Sequence, residues 1–217
     1  MSKLVSKYYS SNGTFVTPAG VTKVYLLGHG GGAGGSGGRN ATFDTAYGGC
    51  GTIPYLVTIE VVPNTSYSIT IGTGGAGGVA RTTSTQNGGS GNDTSFGALY
   101  TYLGAPAAAD FLFLANLIGV CYPLINTNLT NTTSGFTSNT GTLGTNSGSY
   151  QGGKRGAGGY LGSTGGNGGN ANNAGAGVAG TAGTGLGSGG GSGGGGSTIG
   201  GVGGNGASGQ LWVMWVE

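Results

Sequence analysis

Glycine recurs at every third position over long stretches of this chain, and that phase constrains the fold more than any other feature. Counted from Gly153, the series runs Gly153, Gly156, Gly159, Gly162, Gly165, Gly168, Ala171, Ala174, Gly177, Gly180 and Gly183. The same step appears as Gly28, Gly31, Gly34 and Gly37, and again as Gly72, Gly75 and Gly78. A flexible linker has no reason to hold a phase. Three residues per turn is the repeat of the polyproline II helix, so a fixed glycine phase gives that helix one bare edge along which neighbouring backbones approach. Such a helix has no internal hydrogen bonds, and its buried N–H and C=O groups must find partners on adjacent segments. Proline cannot donate to a neighbour; glycine can. With only five prolines against 57 glycines, the chain is not collagen. Ordering a residue costs about 1–2 kcal/mol of backbone entropy and a net hydrogen bond returns about 0.5–1.5 kcal/mol. A bundle of this kind therefore needs cooperative packing and attachment to a hydrophobic core.

The sequence supplies that core near both ends. "FVTPAGVTKVYLLG" reads as a strand, a turn at Pro18-Ala19-Gly20, and a second strand. "YLVTIEVVPNTSYSITIG" alternates as Tyr55, Val57, Ile59, Val61 and then Tyr67, Ile69, Ile71, with Pro63-Asn64 between, which predicts a hairpin. "TSFGALYTYLG" is a shorter strand, and "GQLWVMWVE" places Leu211, Val213 and Trp215 on one face, Trp212 and Met214 on the other, as suits a central strand. The expected fold is all-β: a small antiparallel β-sandwich core carrying packed polyglycine II helices. A single domain over 1–217 is expected, with its β core at about 13–28, 55–72, 94–103 and 209–217. Glycine segments fall at about 28–38, 72–78 and 152–209, and an apolar and Thr/Asn-rich insertion at about 105–151.

Several functional classes fail on chemistry. "VYLLGHGGGAGG" resembles the strand and glycine turn that open a dinucleotide site, but no helix pattern follows Gly35 to face an anion. The acidic candidates for a ribose, Asp44 and Glu60, stand inside a loop and in mid-strand. No cofactor is expected. Seven basic residues are spread thinly, giving a net charge of +2 with no basic stripe, so nucleic acid is not an expected partner. His29 is the only histidine, which excludes a multi-histidine metal site. Pairing of His29 with Cys50 or Cys121 is conceivable, but neither cysteine carries a nucleophile signature, and the five carboxylates stand far apart in sequence. No catalytic residue and no metal site are assigned, and the chain is not expected to be an enzyme. "MSKLVSKYYSSNGT" lacks the apolar run of a secretory signal, so the cysteines are expected as free thiols and the Asn-X-Ser/Thr triplets as loop sequence, not glycan acceptors.

The stretch Pro106 to Ile125, "PAAADFLFLANLIGVCYPLI", is interrupted by Asp110, Asn116, Gly119 and Pro123, which argues against a membrane span. It predicts a short helix ending near Gly119 with Phe111, Leu114 and Ile118 on one side. These three serve as core, or as an apolar surface buried against another subunit or particle body.

Taken together, "FVTPAGVTKVYLLGHGGGAGG", "VVPNTSYSITIGTGGAGG", "GNDTSFGALYTYLGA" and "GGVGGNGASGQLWVMWVE" resemble the glycine-rich domain of bacteriophage tail-fibre and spike proteins, similar in kind to the distal tip adhesins of T-even phages. The resemblance implies a virion surface protein made in the host cytoplasm, partnered by other virion proteins and by a host cell-surface receptor. It also implies a homotrimer or a cap on a trimeric fibre. Receptor contacts are expected from large side chains that interrupt the glycine: Arg39, Phe43 and Tyr47; Arg81; and Tyr150, Lys154, Arg155 and Tyr160. Phe111, Leu114 and Ile118 are the candidates for assembly. A structural decoration contacting only other virion proteins, and an ice-binding protein presenting a regular Thr or Ala face as hinted by "GVAGTAGTGLGS", are the alternatives.

Overall fold

The computed structural model describes residues 2–40, 48–49, 51–52, 54–83, 86–107, 141–156, 158 and 163–217. Among these residues, eight strands form two antiparallel four-stranded sheets. The first has the order β1 (Leu4–Tyr9), β8 (Gln210–Val216), β3 (Lys23–His29), β4 (Tyr55–Glu60). The second has the order β2 (Gly13–Val16), β5 (Ser66–Thr70), β6 (Thr94–Phe96), β7 (Tyr100–Tyr102). No helix occurs among the described residues. The helix expected from Pro106, with Phe111, Leu114 and Ile118, lies outside them apart from its first residues.

The expected all-β class holds, and so does the central place of β8, whose Leu211, Val213 and Trp215 are buried while Trp212 and Met214 face outward, half-buried. Two local expectations are corrected. Tyr55–Ile71 is not a hairpin, because β4 pairs with β3 and β5 pairs with β2, in different sheets. The expected strand, turn at Pro18-Ala19-Gly20 and strand hold, and the turn carries the chain from β2 in one sheet to β3 in the other. Gly20 has φ +79° and the Val21 N–H donates to the Pro18 carbonyl, as a turn with glycine in its third position requires. The two crossings are tied together where Val61 donates to Thr22, Asn64 to Thr17 and Thr17 to Thr65. "TSFGALYTYLG" holds two strands, β6 and β7, which pair across a tight turn with Gly97 at φ +51°.

Between the sheets, Val24, Leu26, Leu211, Val213 and Trp215 meet Phe15, Ile69, Phe96 and Tyr102. Rings bridge the layers: Phe15 lies 5.3 Å from Trp215 and Tyr55 lies 4.9 Å from Tyr102. The Tyr102 hydroxyl, buried with its ring, donates to the Leu26 carbonyl at 2.9 Å.

Five strand ends run directly into glycine-rich segments that form neither helix nor sheet. Their backbone bonds step by three residues. Gly31, Gly34 and Gly37 donate to Asn92, Gly89 and Gln86, while Gly32, Gly35 and Gly38 donate to Ala207, Gly204 and Gly201. Two of every three positions therefore donate in 30–39, while the third-place Ala33, Ser36 and Arg39 accept from Gly190, Gly193 and Gly196, and sequence counting had followed only one position. Its triplets read GGA-GGS-GGR, and the third-place Ala33 and Ser36 are fully buried. Pairings of this kind arrange the segments in three layers: 72–81, 199–209 and 175–184; then 86–93, 30–39, 187–197 and 163–172; then 104–107, 48–52, 150–156 and 141–147. Segment 187–197 lies at the centre, bonded to 30–39, 199–209, 175–184, 163–172, 150–156 and Gly49.

Candidate functional site

The bonding registers decide which residues share an end of this array. Gly209 donates to Gly72 and Gly31 to Asn92, beside the sheets. At the opposite end Gly196 donates to Arg39, Gly195 to Gln151, Gly200 to Arg81, and Asn172 to Gly195. Arg39 and Arg81 also form a parallel bridge on adjacent segments. The turns 147–150, 172–175 and 196–200 are thus gathered at one distal end, away from the hydrophobic core. A rigid array with its turns at the tip is a favourable place for recognition, since turns vary in sequence without disturbing the scaffold.

Of the residues expected to bind, Arg39, Arg81 and Tyr150 lie at this end, Arg39 and Arg81 on adjacent segments and Tyr150 in the third layer. Arg81 is exposed, and its guanidinium donates through Nε (2.9 Å) and Nη2 to the Gln86 side chain, which holds its plane in place. Tyr150 closes a turn in which it and Ser147 exchange backbone bonds. Lys154 and Arg155 do not join the tip: the Lys154 N–H bonds Ser192 Oγ along the flank, and Arg155 is one residue closer to the sheets. Phe43, Tyr47 and Tyr160 lie outside the described residues, as do Phe111, Leu114 and Ile118.

An open groove of about 420 Å³ runs between segments 141–147 and 150–156, lined by Leu143, Thr145, Asn146, Gln151 and Lys154 among others. Leu143, Asn146 and Gln151 were not among the expected contacts, because attention went to aromatic and cationic residues. Their signal is that they depart from the GGx triplet, in "GTLGTN" and "YQGG".

Exposed Asn and Thr side chains do something the sequence had not suggested. Asn167 and Asn170 accept from the N–H groups of Thr142 (2.8 Å) and Thr145 (3.0 Å), and Asn205 from Gly77 (2.8 Å). Asn146 accepts from Gly152 at 2.9 Å, and the Thr181 hydroxyl from Asn167 at 2.7 Å. Each supplies an acceptor where the backbone of a neighbouring segment would otherwise need one.

His29 is buried, and its Nδ1 lies 2.9 Å from the Gly30 carbonyl and 3.2 Å from Thr52 Oγ1. Donation from Nδ1 to Gly30 leaves Nε2 as the bare ring nitrogen, with no hydrogen-bond partner. Burial lowers the His29 pKa, opposed by the Gly30 bond, and keeps the ring neutral. Burial also raises the phenol pKa values of Tyr55 and Tyr102, helped by neighbouring Tyr100, whose hydroxyl donates to Tyr55 at 3.0 Å. No cluster of His, Cys, Asp and Glu able to hold a metal ion occurs among the described residues. Among them, too, no helix is long and apolar enough to cross a membrane.

A family model described as a glycine-rich domain matches residues 10–216, nearly the whole chain. The chain belongs to that family. Comparison with curated proteins gave no match.

Proposed function

The chain being a glycine-rich domain, we propose that it is a bacteriophage virion surface protein, an adhesin at the tip of a tail fibre or spike whose distal turns bind a host cell-surface receptor. In this reading the glycine segments are packed polyglycine II helices. Three-residue steps in their backbone bonds, on several sides of one segment, favour that description. The observation that carries the function is the convergence of Arg39, Arg81 and Tyr150 on one end of a rigid array, opposite the sandwich. Arginine and tyrosine contribute much contact energy at low ordering cost.

Recognition needs no chemical step. The single histidine is buried and engaged with backbone, which suits a binding role better than a catalytic one. The segment "GVAGTAGTGLGS" exposes Ala179, Ala182, Thr181 and Thr184, but the adjacent outward row Ile199, Val202, Asn205 and Ser208 is mixed in size and polarity, which speaks against a regular face matched to ice.

Binding of the purified, fluorescently labelled chain to a panel of bacterial cells tests the proposal. Arg81→Ala with Tyr150→Ala is expected to weaken binding at least tenfold while leaving the thermal midpoint within a few degrees. A wild-type chain that binds no cells but is found in purified particles would instead favour a decoration contacting only virion proteins.

A further inference from the structure

An antiparallel sheet with one face on a core ordinarily presents polar side chains on the other. The second sheet obeys: its outward positions carry Ser66, Ser68, Thr70, Thr14 and Thr101, with Val16 the exception. The first sheet does not. Register places Tyr8, Trp212, Leu27 and Leu56 in one outward row across all four strands, with Met214 and Tyr25 in the middle of the next, between Ser6 and Thr58. Tyr8 and Leu56 are 47% and 59% exposed, so nothing in the described chain covers the row's two ends. The Tyr8 and Trp212 rings lie 4.5 Å apart, which makes the patch continuous. Contiguous apolar surface of this kind marks an interface.

We propose that this outer face of the first sheet is the interface of a symmetric pair, its occupant the same face of a second copy of this chain. Charge argues for a copy. The face carries only Lys23 and Glu60, opposite each other at one end, so it is formally neutral. A partner of ordinary charge density would leave its own charges unpaired against it, whereas a copy brings the same uncharged surface. Area fits a weak pair. Four strands at a spacing of about 4.8 Å and seven residues at about 3.4 Å project to about 450 Å² per copy. Two copies bury on the order of 900 Å² before side-chain relief is counted, short of the about 1,200 Å² of stable specific interfaces and in the range of weak, transient pairs. Shape fixes the orientation. His29 shares the outward register but is covered by Thr52 and lies against Gly187, so the glycine array steps over that end of the face. A two-fold axis across the strands seats the Lys23–Glu60 end of each copy under the step of the other. An interface this small gives a dissociation constant in the micromolar range or weaker.

Sedimentation equilibrium over a wide concentration range, combined with tryptophan emission, tests the inference independently of receptor binding. The wild-type chain is expected to approach twice its 20.7 kDa mass at high concentration. On dilution its emission is expected to shift to the red, because Trp212 becomes exposed while Trp215, the only other tryptophan, stays in the core. Leu56→Lys with Met214→Lys should hold the mass at one chain, and Ser68→Lys on the opposite sheet should leave pairing unchanged. A wild-type chain that stays at single mass throughout overturns the proposal. Its emission then says whether the face is free for a different partner (red-shifted) or covered by another part of the chain (blue). Pairing that survives the double substitution with undiminished strength overturns it as well.

Discussion

The sandwich and the glycine array solve the same problem with opposite materials. In the sandwich, side chains do the packing: Phe15, Phe96, Trp215 and Leu26 fill the space between sheets, and the backbone bonds lie within each sheet. In the array the backbone packs against itself. Segment 187–197 has the sequence GSGGGSGGGGS, yet 187–196 is wholly buried. Its stability comes from bonds whose net return per residue is close to the entropy of ordering that residue, whereas a buried large side chain contributes about 1.5–3 kcal/mol. The array therefore leans on the sandwich, and the direction of that dependence can be measured.

Removing the largest inter-sheet contact tests it most severely. Trp215→Ala empties the space beside Phe15 and is expected to cost about 3–5 kcal/mol. Because β8 continues from segment 199–209, both regions should lose protection together in hydrogen exchange. An array that stays protected while the sandwich exchanges freely would mean that it is stable by itself.

A smaller effect comes from the array's own centre. A methyl group on Gly193 would run into the Gly201 carbonyl, which is backbone and cannot turn aside. Gly193→Ala is expected to cost about 2–3 kcal/mol, by overpacking and by stretching the bond from Gly193 to Ser36. Ala179→Val, at an exposed place in the neighbouring segment, should change the unfolding midpoint in urea hardly at all. Equal effects at the two sites would remove the distinction between registers.

This distinction also explains what the sequence could disclose. The three-residue step was legible because glycine is demanded by close backbone approach. The number of glycines per triplet follows a segment's surroundings: two in 30–39, which is enclosed, but only one, at Gly177, Gly180 and Gly183, in 176–184, which has open sides. Counting a single phase hid that difference, and the count from Gly153 to Gly183 also ran through the turn at Asn173 and Ala174. Strand positions were legible from alternation, but alternation does not say which sheet a strand joins, so the crossing from β4 to β5 read as a hairpin. β1 escaped notice because its inward positions are Val5, Lys7 and Tyr9, and the lysine breaks the apolar pattern. Its ammonium lies 5.1 Å from the centre of the Tyr9 ring, which lets the stem lie along the sheet. At the distal end, Arg39, Arg81 and Tyr150 were nameable as interruptions of glycine, yet their sharing one end depends on long-range registers that no local pattern encodes.

The outer segments offer a milder test. Asn170 is exposed, and an exposed Asn→Ala exchange away from special features is usually worth less than about 0.5 kcal/mol. Here its carboxamide accepts the Thr145 N–H at 3.0 Å, so Asn170→Ala is expected to cost about 1 kcal/mol by chemical denaturation and to speed hydrogen exchange at Thr145. Asn170→Asp keeps the acceptor and should restore the slow exchange. Unchanged exchange at Thr145 in the alanine variant would mean that water serves the N–H equally well.

The smallest effect is expected where the two regions meet. His29 ends β3 and Gly30 begins the array, and burial lowers the histidine pKa in the folded chain. Near and below the ordinary histidine value of about 6.5, the unfolded chain binds a proton that the folded chain resists. Stability is therefore full above that value and falls as the pH drops from 7 toward 5, with a slope that one proton limits to about 1.4 kcal/mol per pH unit. His29→Asn places an amide donor near the Nδ1 position, toward the Gly30 carbonyl, and removes the titration. Urea midpoints measured between pH 5 and 7 should decline for the wild-type chain and stay level for the variant. This window lies above most carboxylate titration, so the difference between the two curves belongs to His29. Parallel curves would mean that the folded chain takes up the proton as readily as the unfolded one, so that burial does not hold the ring neutral.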